Sequence, residues 1–140
     1  MSVENPFSSP IDLPLCKGVI FVVDDEQSFC HVVCEILEAI GYDPHYALDA
    51  TEALGMLPQV KPDLILSDVM MPDMDGLSFV RHLREQPSWK AVPVVIVSAK
   101  ATAEDRRNAL ESGASDFLAK PFSSHDLEEL IGRYLQRARG

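Results

Sequence analysis

Cysteine is scarce in this chain: three residues in 140, Cys16, Cys30 and Cys34. So sparse and odd a set excludes a disulfide framework and suits a reducing compartment, so a cytoplasmic location is expected. Basic residues are also few, with 12 Lys and Arg against 22 Asp and Glu and a formal net charge of −10. Direct nucleic-acid binding needs a basic face to neutralise phosphates, and none is expected here. No apolar run approaches membrane-spanning length, so no membrane association is expected. Met1 to Lys17 lacks the basic start and continuous apolar segment of a secretory signal. Residues 1–16, with Pro6, Ser8, Ser9, Pro10 and Pro14, read as a disordered arm or the remnant of a linker. A metal site at Cys30, His31 and Cys34 is disfavoured. Adjacent helical residues point about a quarter-turn apart and a fourth ligand is missing, so the thiols read as ordinary ones on a helix flank.

What is present fits a single globular domain over residues 17–140: 46% of residues are apolar and 24% charged. Strand-like and helix-like segments alternate five times. Strands are expected near Val19–Val23, Asp43–Ala47, Leu64–Ser67, Val92–Ser98 and Ser115–Ala119. The first, third and fourth are continuously apolar, as strands covered on both faces are. Phe29, Val32, Val33, Ile36, Leu37 and Ile40 recur at helical spacing before Gly41. Asp49 caps a second helix ending before Pro58, and Asp75 caps a third carrying Leu77, Val80 and Leu83. Thr102 to Asp105 and Ser123 to Asp126 have capping-box spacing for the last two helices. The last helix runs almost to Gly140, and no second domain is expected to follow. Alternating βα units with short loops imply an α/β fold: a flavodoxin-like (βα)5 doubly wound parallel sheet in the order 2-1-3-4-5.

Four strand ends carry the chemistry. The first runs into Asp24-Asp25, the third into Asp68, the fourth into Ser98 and the fifth into Lys120. In such a sheet the loops after the carboxyl ends build the site. The order 2-1-3-4-5 puts Asp24 and Asp25 beside Asp68, with strands about 4.8 Å apart. Two unit charges 4 Å apart repel by about 4 kcal/mol at an effective dielectric of 20. A divalent cation relieves this, and hard oxygen ligands with open positions favour Mg2+. Ser98 lies on the adjacent strand. Lys120 is two spacings, about 10 Å, from Asp68, a gap that only a long side chain bridges. Lys120-Pro121-Phe122 reads as a charge fixed by a rigid turn, of the kind a cis proline makes. These parts suit phosphoryl transfer, with Asp68, ionised near neutral pH by its ordinary pKa, as nucleophile.

From about Lys17 to Arg137 the chain resembles the receiver domain of two-component response regulators. The resemblance rests on Asp24-Asp25, the segment from Asp68 through Pro72 to Gly76, Ser98-Ala99 and Lys120-Pro121-Phe122. The spacings match as well: 98 − 68 = 30 and 120 − 68 = 52. It implies a signalling phosphoacceptor that catalyses only its own phosphorylation and dephosphorylation. Asp68 would accept a phosphoryl group from a phosphohistidine of a sensor histidine kinase or histidine phosphotransfer protein. Asp25, Asp68 and the backbone carbonyl of Met70 would bind Mg2+, with Asp24 helping. Lys120 would contact the phosphoryl oxygens. Ser98 would move toward them with Phe117 following inward, and the face of the fourth helix, fifth strand and fifth helix would change its affinity for a downstream protein. Arg106, Arg107, Arg133 and Arg137 are expected on the fourth and fifth helices. Met70 and Lys100 stand where the family tunes loss of phosphate.

Three other readings compete. An Mg2+-dependent phosphatase with an Asp nucleophile would carry an acid two residues after Asp68, where Met70 stands instead. A receiver-like interaction module that is never phosphorylated would not need the full set of acids, hydroxyl and lysine. Flavin binding lacks a phosphate-cradling loop after the first strand. Trp89 is expected at the opposite edge of the sheet, about 20 Å or more from the acids.

Overall fold

The computed structural model describes Cys16 to Arg139, with side chains to Leu135. All of the expected N-terminal arm except Cys16 lies outside the described residues, as does the Arg137 side chain. The elements alternate as β1 (Val19–Val23), α1 (Gln27–Ala39), β2 (Asp43–Ala47), α2 (Ala50–Val60), β3 (Leu64–Asp68), α3 (Gly76–Arg84), β4 (Val94–Ser98), α4 (Ala103–Ser112), β5 (Asp116–Ala119) and α5 (Ser124–Arg139). The strands form one parallel sheet in the order β2-β1-β3-β4-β5. This is the doubly wound flavodoxin-like arrangement expected from the sequence.

Successive strand residues point to opposite faces, and both faces of this sheet are covered. Ile20, Val22, Leu64, Leu66, Val95 and Val97 pack against Cys30, Val33 and Leu37 of α1 and Leu127 and Ile131 of α5. Phe21, Val23, Ile65, Val94 and Ile96 pack against α2, α3 and α4 through Leu57, Phe79, Leu83 and Ala109. That is why these strands read as unbroken apolar runs rather than alternating ones. Their polar residues are thereby confined to the ends, where the loops begin.

The helix starts follow local chemistry. Asp49 accepts the Glu52 N–H at 2.7 Å and Asp75 the Ser78 N–H at 2.8 Å. Thr102 and Asp105 cap each other reciprocally, as do Ser123 and Asp126. One helix expectation fails. α2 does not stop before Pro58 but continues to Val60. In the last turn a proline forfeits only its own N–H bond, and Lys61, at φ 49°, closes the helix by donating to the Leu57 carbonyl. Val32, one of the apolar residues at helical spacing in α1, is 55% exposed. Cys30, Val33 and Leu37 take the sheet-facing line, and Val32 is rotated about 100° from Val33.

Strand limits shift by one or two residues. β3 includes Asp68, and β4 starts at Val94 because the Val92 carbonyl accepts from the Arg84 guanidinium instead of joining the ladder. β5 begins at Asp116, since the Ser115 carbonyl accepts from the Tyr134 hydroxyl.

Candidate functional site

Register decides which side chains meet. Val23 pairs with Ser67 and Asp68 with Val97, so Asp24 and Asp68 leave neighbouring strands at the same level. Ser98 pairs with Ala119, which puts Ser98 one residue and Lys120 two residues beyond that level. Carboxylate oxygens of Asp24, Asp25 and Asp68 all lie within 4.8 Å of one another.

Asp24 is the best-held of the three acids. It is 2% exposed, accepts the Glu26 N–H at 2.9 Å through Oδ1, and accepts Lys120 Nζ at 3.1 Å through Oδ2. Its carbonyl accepts the Cys30 thiol at 3.4 Å. Lys120 Nζ lies 3.8 Å from Asp68 Oδ1, too long for a hydrogen bond. From strand spacing the lysine has to bridge about 10 Å to reach Asp68. In the fold the side chain spans one strand further and settles on the acid of β1. There the ammonium also sits over the Phe29 ring, 4.1 Å from its centroid. Phe122 meets that ring edge-on, with centroids 6.1 Å apart and planes at 86°. The Lys120–Pro121 peptide is cis.

Burial first, and then the Asp24 carboxylate, push the Asp68 pKa from 3.8 up to about 6. Lys120 and the Val69 N–H pull in the opposite direction and lose. The expectation that Asp68 is ionised near neutrality by its ordinary pKa needs correcting. It remains mostly ionised at pH 7, but with a margin of only about one unit. A crowded group of hard carboxylate oxygens whose ionisation is resisted by its own neighbours is a donor set suited to Mg2+.

Ser98 is buried, and its Oγ accepts the Lys100 N–H at 3.1 Å. Phe117 is buried in the core with the Arg106 guanidinium 4.9 Å over its ring. Met70, Leu77, Ser98, Lys100, Asn108 and Phe117 help wall a cavity of ≈ 100 Å³ next to the chain that leaves Asp68. The Met70 side chain is 68% exposed and Lys100 is exposed. Arg106, Arg107 and Arg133 lie on α4 and α5; Arg133 Nη1 reaches Asp116 Oδ2 at 3.4 Å. Trp89 follows α3 and precedes β4, at the end of the sheet away from the acids.

Among the described residues the group placed to share a metal ion is Asp24, Asp25 and Asp68, and it does not include Cys30, His31 or Cys34. Burial pushes Cys30 up to about 12 and Cys34 to about 11, while His31 Nε2 lies 3.0 Å from the Tyr46 hydroxyl. Two supporting residues carry no advance signal of their role. Asp73, in the loop after Asp68, accepts from the backbone N–H groups of Ala50 and Thr51 and from the Thr51 hydroxyl, tying that loop to the start of α2. The Thr51 hydroxyl above all lowers the Asp73 pKa to about 2. At Gly76 a β-carbon would stand 2.2 Å from the Asp68 carbonyl oxygen, so only glycine lets α3 start there.

Comparison with known proteins is consistent with this geometry. A family model described as the response regulator receiver domain matches residues 20–132. The chain is 39% identical over 118 residues to the phosphate regulon transcriptional regulatory protein PhoB of Escherichia coli, covering 84% of this chain and 52% of PhoB. It is 44% identical over 102 residues to the response regulator PleD of Caulobacter vibrioides, covering 73% of this chain and 22% of PleD. The structure superposes on Vibrio cholerae chemotaxis protein CheY4 with a TM-score of 0.79 at 32% identity, covering 84% of this chain and 98% of CheY4. The chain thus spans about half the length, or less, of these two curated relatives.

Proposed function

This chain belongs to the response regulator receiver domain family of two-component systems, and from that premise we propose that Asp68 is its phosphoacceptor. The donor is a phosphohistidine on a sensor histidine kinase or histidine phosphotransfer protein. An Asp68 oxygen attacks phosphorus, the P–N bond breaks, and the imidazole leaves with the electron pair. One observation carries the reading: the carboxylates of Asp24, Asp25 and Asp68 lie together with the Lys120 ammonium 3.8 Å from Asp68. No general base is needed, because Asp68 is mostly ionised at neutral pH.

Asp24, Asp25, Asp68 and the Met70 carbonyl would hold Mg2+. When bound, the ion neutralises charge on the transferring group. Asp24 keeps Lys120 at the site, and the ammonium is within reach of oxygens added to Asp68. Pro121 fixes the turn that aims the lysine.

We also propose that phosphorylation repacks Ser98 and Phe117 and alters the face formed by α4, β5 and α5. The added group brings about −1.5 to −2 charges and strong acceptors. Ser98 can answer it by donating its hydroxyl proton, which accepting the Lys100 N–H leaves free. The cavity beside Phe117 gives that ring room to turn inward, and turning breaks its contact with Arg106. A shift from 1:99 to 99:1 needs about 5.5 kcal/mol of differential interaction. A few charge-assisted bonds of roughly 1.5–3 kcal/mol each reach that range.

The test is incubation with acetyl phosphate and Mg2+. We expect an alkali-labile mass gain of one phosphoryl group that Asp68→Asn abolishes. Sustained turnover of a phosphomonoester would favour the phosphatase reading, and no mass gain would favour the unphosphorylated interaction module.

A further inference from the structure

The Lys120 ammonium has three donors at the end of a flexible stem that reaches across two intervening strands from β5. Such a side chain loses much rotamer freedom when it is held in one place. Among the described residues, its hydrogen-bond acceptor is Asp24 Oδ2 at 3.1 Å. Asp68 Oδ1, at 3.8 Å, is close without being bonded. The remaining restraint is aromatic: the ammonium stands 4.1 Å over the Phe29 ring. A cation over a ring face is attracted by the negative face of the π system.

Phe29 is itself held firmly. It precedes Cys30, whose thiol donates to the Asp24 carbonyl, and it lies one helical turn before buried Val33. Phe122 presses edge-on against the ring at 86° and follows the Lys120–Pro121 turn that carries the lysine. One aromatic pair therefore joins the helix after the acids to the loop that delivers the ammonium.

We propose that Phe29 is a positioning residue for Lys120. Its ring, braced by Phe122, holds the ammonium beside Asp24 with one donor left facing Asp68, so the lysine meets an incoming phosphoryl group already aligned. This rests on the phosphoacceptor reading of Asp68.

Replacing Phe29 with 4-fluoro-, 3,5-difluoro- and pentafluorophenylalanine in the full chain drains charge from the ring face while changing its shape little. With Mg2+ present, affinity for beryllofluoride should fall stepwise, by about three- to tenfold at the pentafluoro ring. Mg2+ affinity should stay near wild type while beryllofluoride affinity falls, a split that a merely structural role for the ring does not predict. A second readout needs no phosphoryl analogue. In the free protein the Lys120 ε-methylene protons should be shifted upfield by the ring, and should return toward ordinary lysine positions in Phe29→Leu. A flat affinity series, or Lys120 resonances unmoved in Phe29→Leu, overturns the proposal. Failure of the wild-type chain to bind beryllofluoride overturns the phosphoacceptor reading instead, and the NMR measurement then decides the placement of the lysine alone.

Discussion

Asp68 is held against its own chemistry. Its pKa rises from 3.8 to about 6 because burial and Asp24 oppose its charge. The folded chain therefore binds that proton more tightly than the unfolded chain. Below about pH 4 both states are protonated and there is no penalty. Between about pH 4 and 6 the unfolded chain ionises first, so stability falls as pH rises, and above pH 6 the whole penalty is present. Asp68→Asn should therefore be more stable than wild type at pH 7.5 without Mg2+, by about 1–3 kcal/mol, with the difference vanishing near pH 4. Thermal melts of both proteins across that range check the sign; a variant less stable than wild type at pH 7.5 would refute the crowding argument. Two neighbours give further tests. Met70 lies in the segment after Asp68 and walls the adjacent cavity, and we expect Met70→Asn to shorten the half-life of the phosphorylated chain by admitting water; an unchanged half-life contradicts this. Gly76→Ala forces a methyl group into the Asp68 carbonyl and should cost about 1–3 kcal/mol in denaturant unfolding.

At the scale of elements, much was legible because it is local. Three of the five strands, β1, β3 and β4, show as apolar runs, and four helix starts show as Asp, Thr or Ser with the right partner three residues on. Pro58 misled because the rule against proline in a helix weakens where few bonds remain to be lost. The acids at the strand ends were legible because strand order and register follow from the βα alternation. The partnership of Lys120 with Asp24 and Phe29 was not, since it depends on how far a flexible side chain reaches once three strands are in place. Arg84 was equally silent in the sequence. Its guanidinium donates to the carbonyls of Gly113, Lys90 and Val92 and stitches the end of α3 to the loops entering β4 and β5. Burial lowers its pKa. Arg84→Met should destabilise the domain by about 2–4 kcal/mol. Arg84→Lys should recover less than half of that in urea unfolding, because an ammonium cannot reproduce the fork; full recovery would show that only charge matters.

For the molecule as a whole, the two cores close on either side of the sheet, while the crowding of acids at the strand ends costs folding energy. A bound cation should return part of it. Saturating Mg2+ should raise the melting temperature of the wild-type chain by about 2–5 °C, and that of Asp68→Asn by clearly less. Trp89 lies at the far end of the sheet, so its fluorescence should be quenched only weakly by the same titration; strong quenching would contradict its placement. Among the described residues no helix is long and apolar enough to cross a membrane. Phosphorylation is expected to carry phosphorus onto one carboxylate, that at the mouth of β3. Its most direct measurement is reductive trapping: phosphorylate the chain with acetyl phosphate and Mg2+, reduce the acyl phosphate with borohydride, and sequence the peptides. We expect homoserine at position 68 and nowhere else. Homoserine at position 24 or 25, or at no position in a chain that has gained the phosphoryl mass, would contradict it.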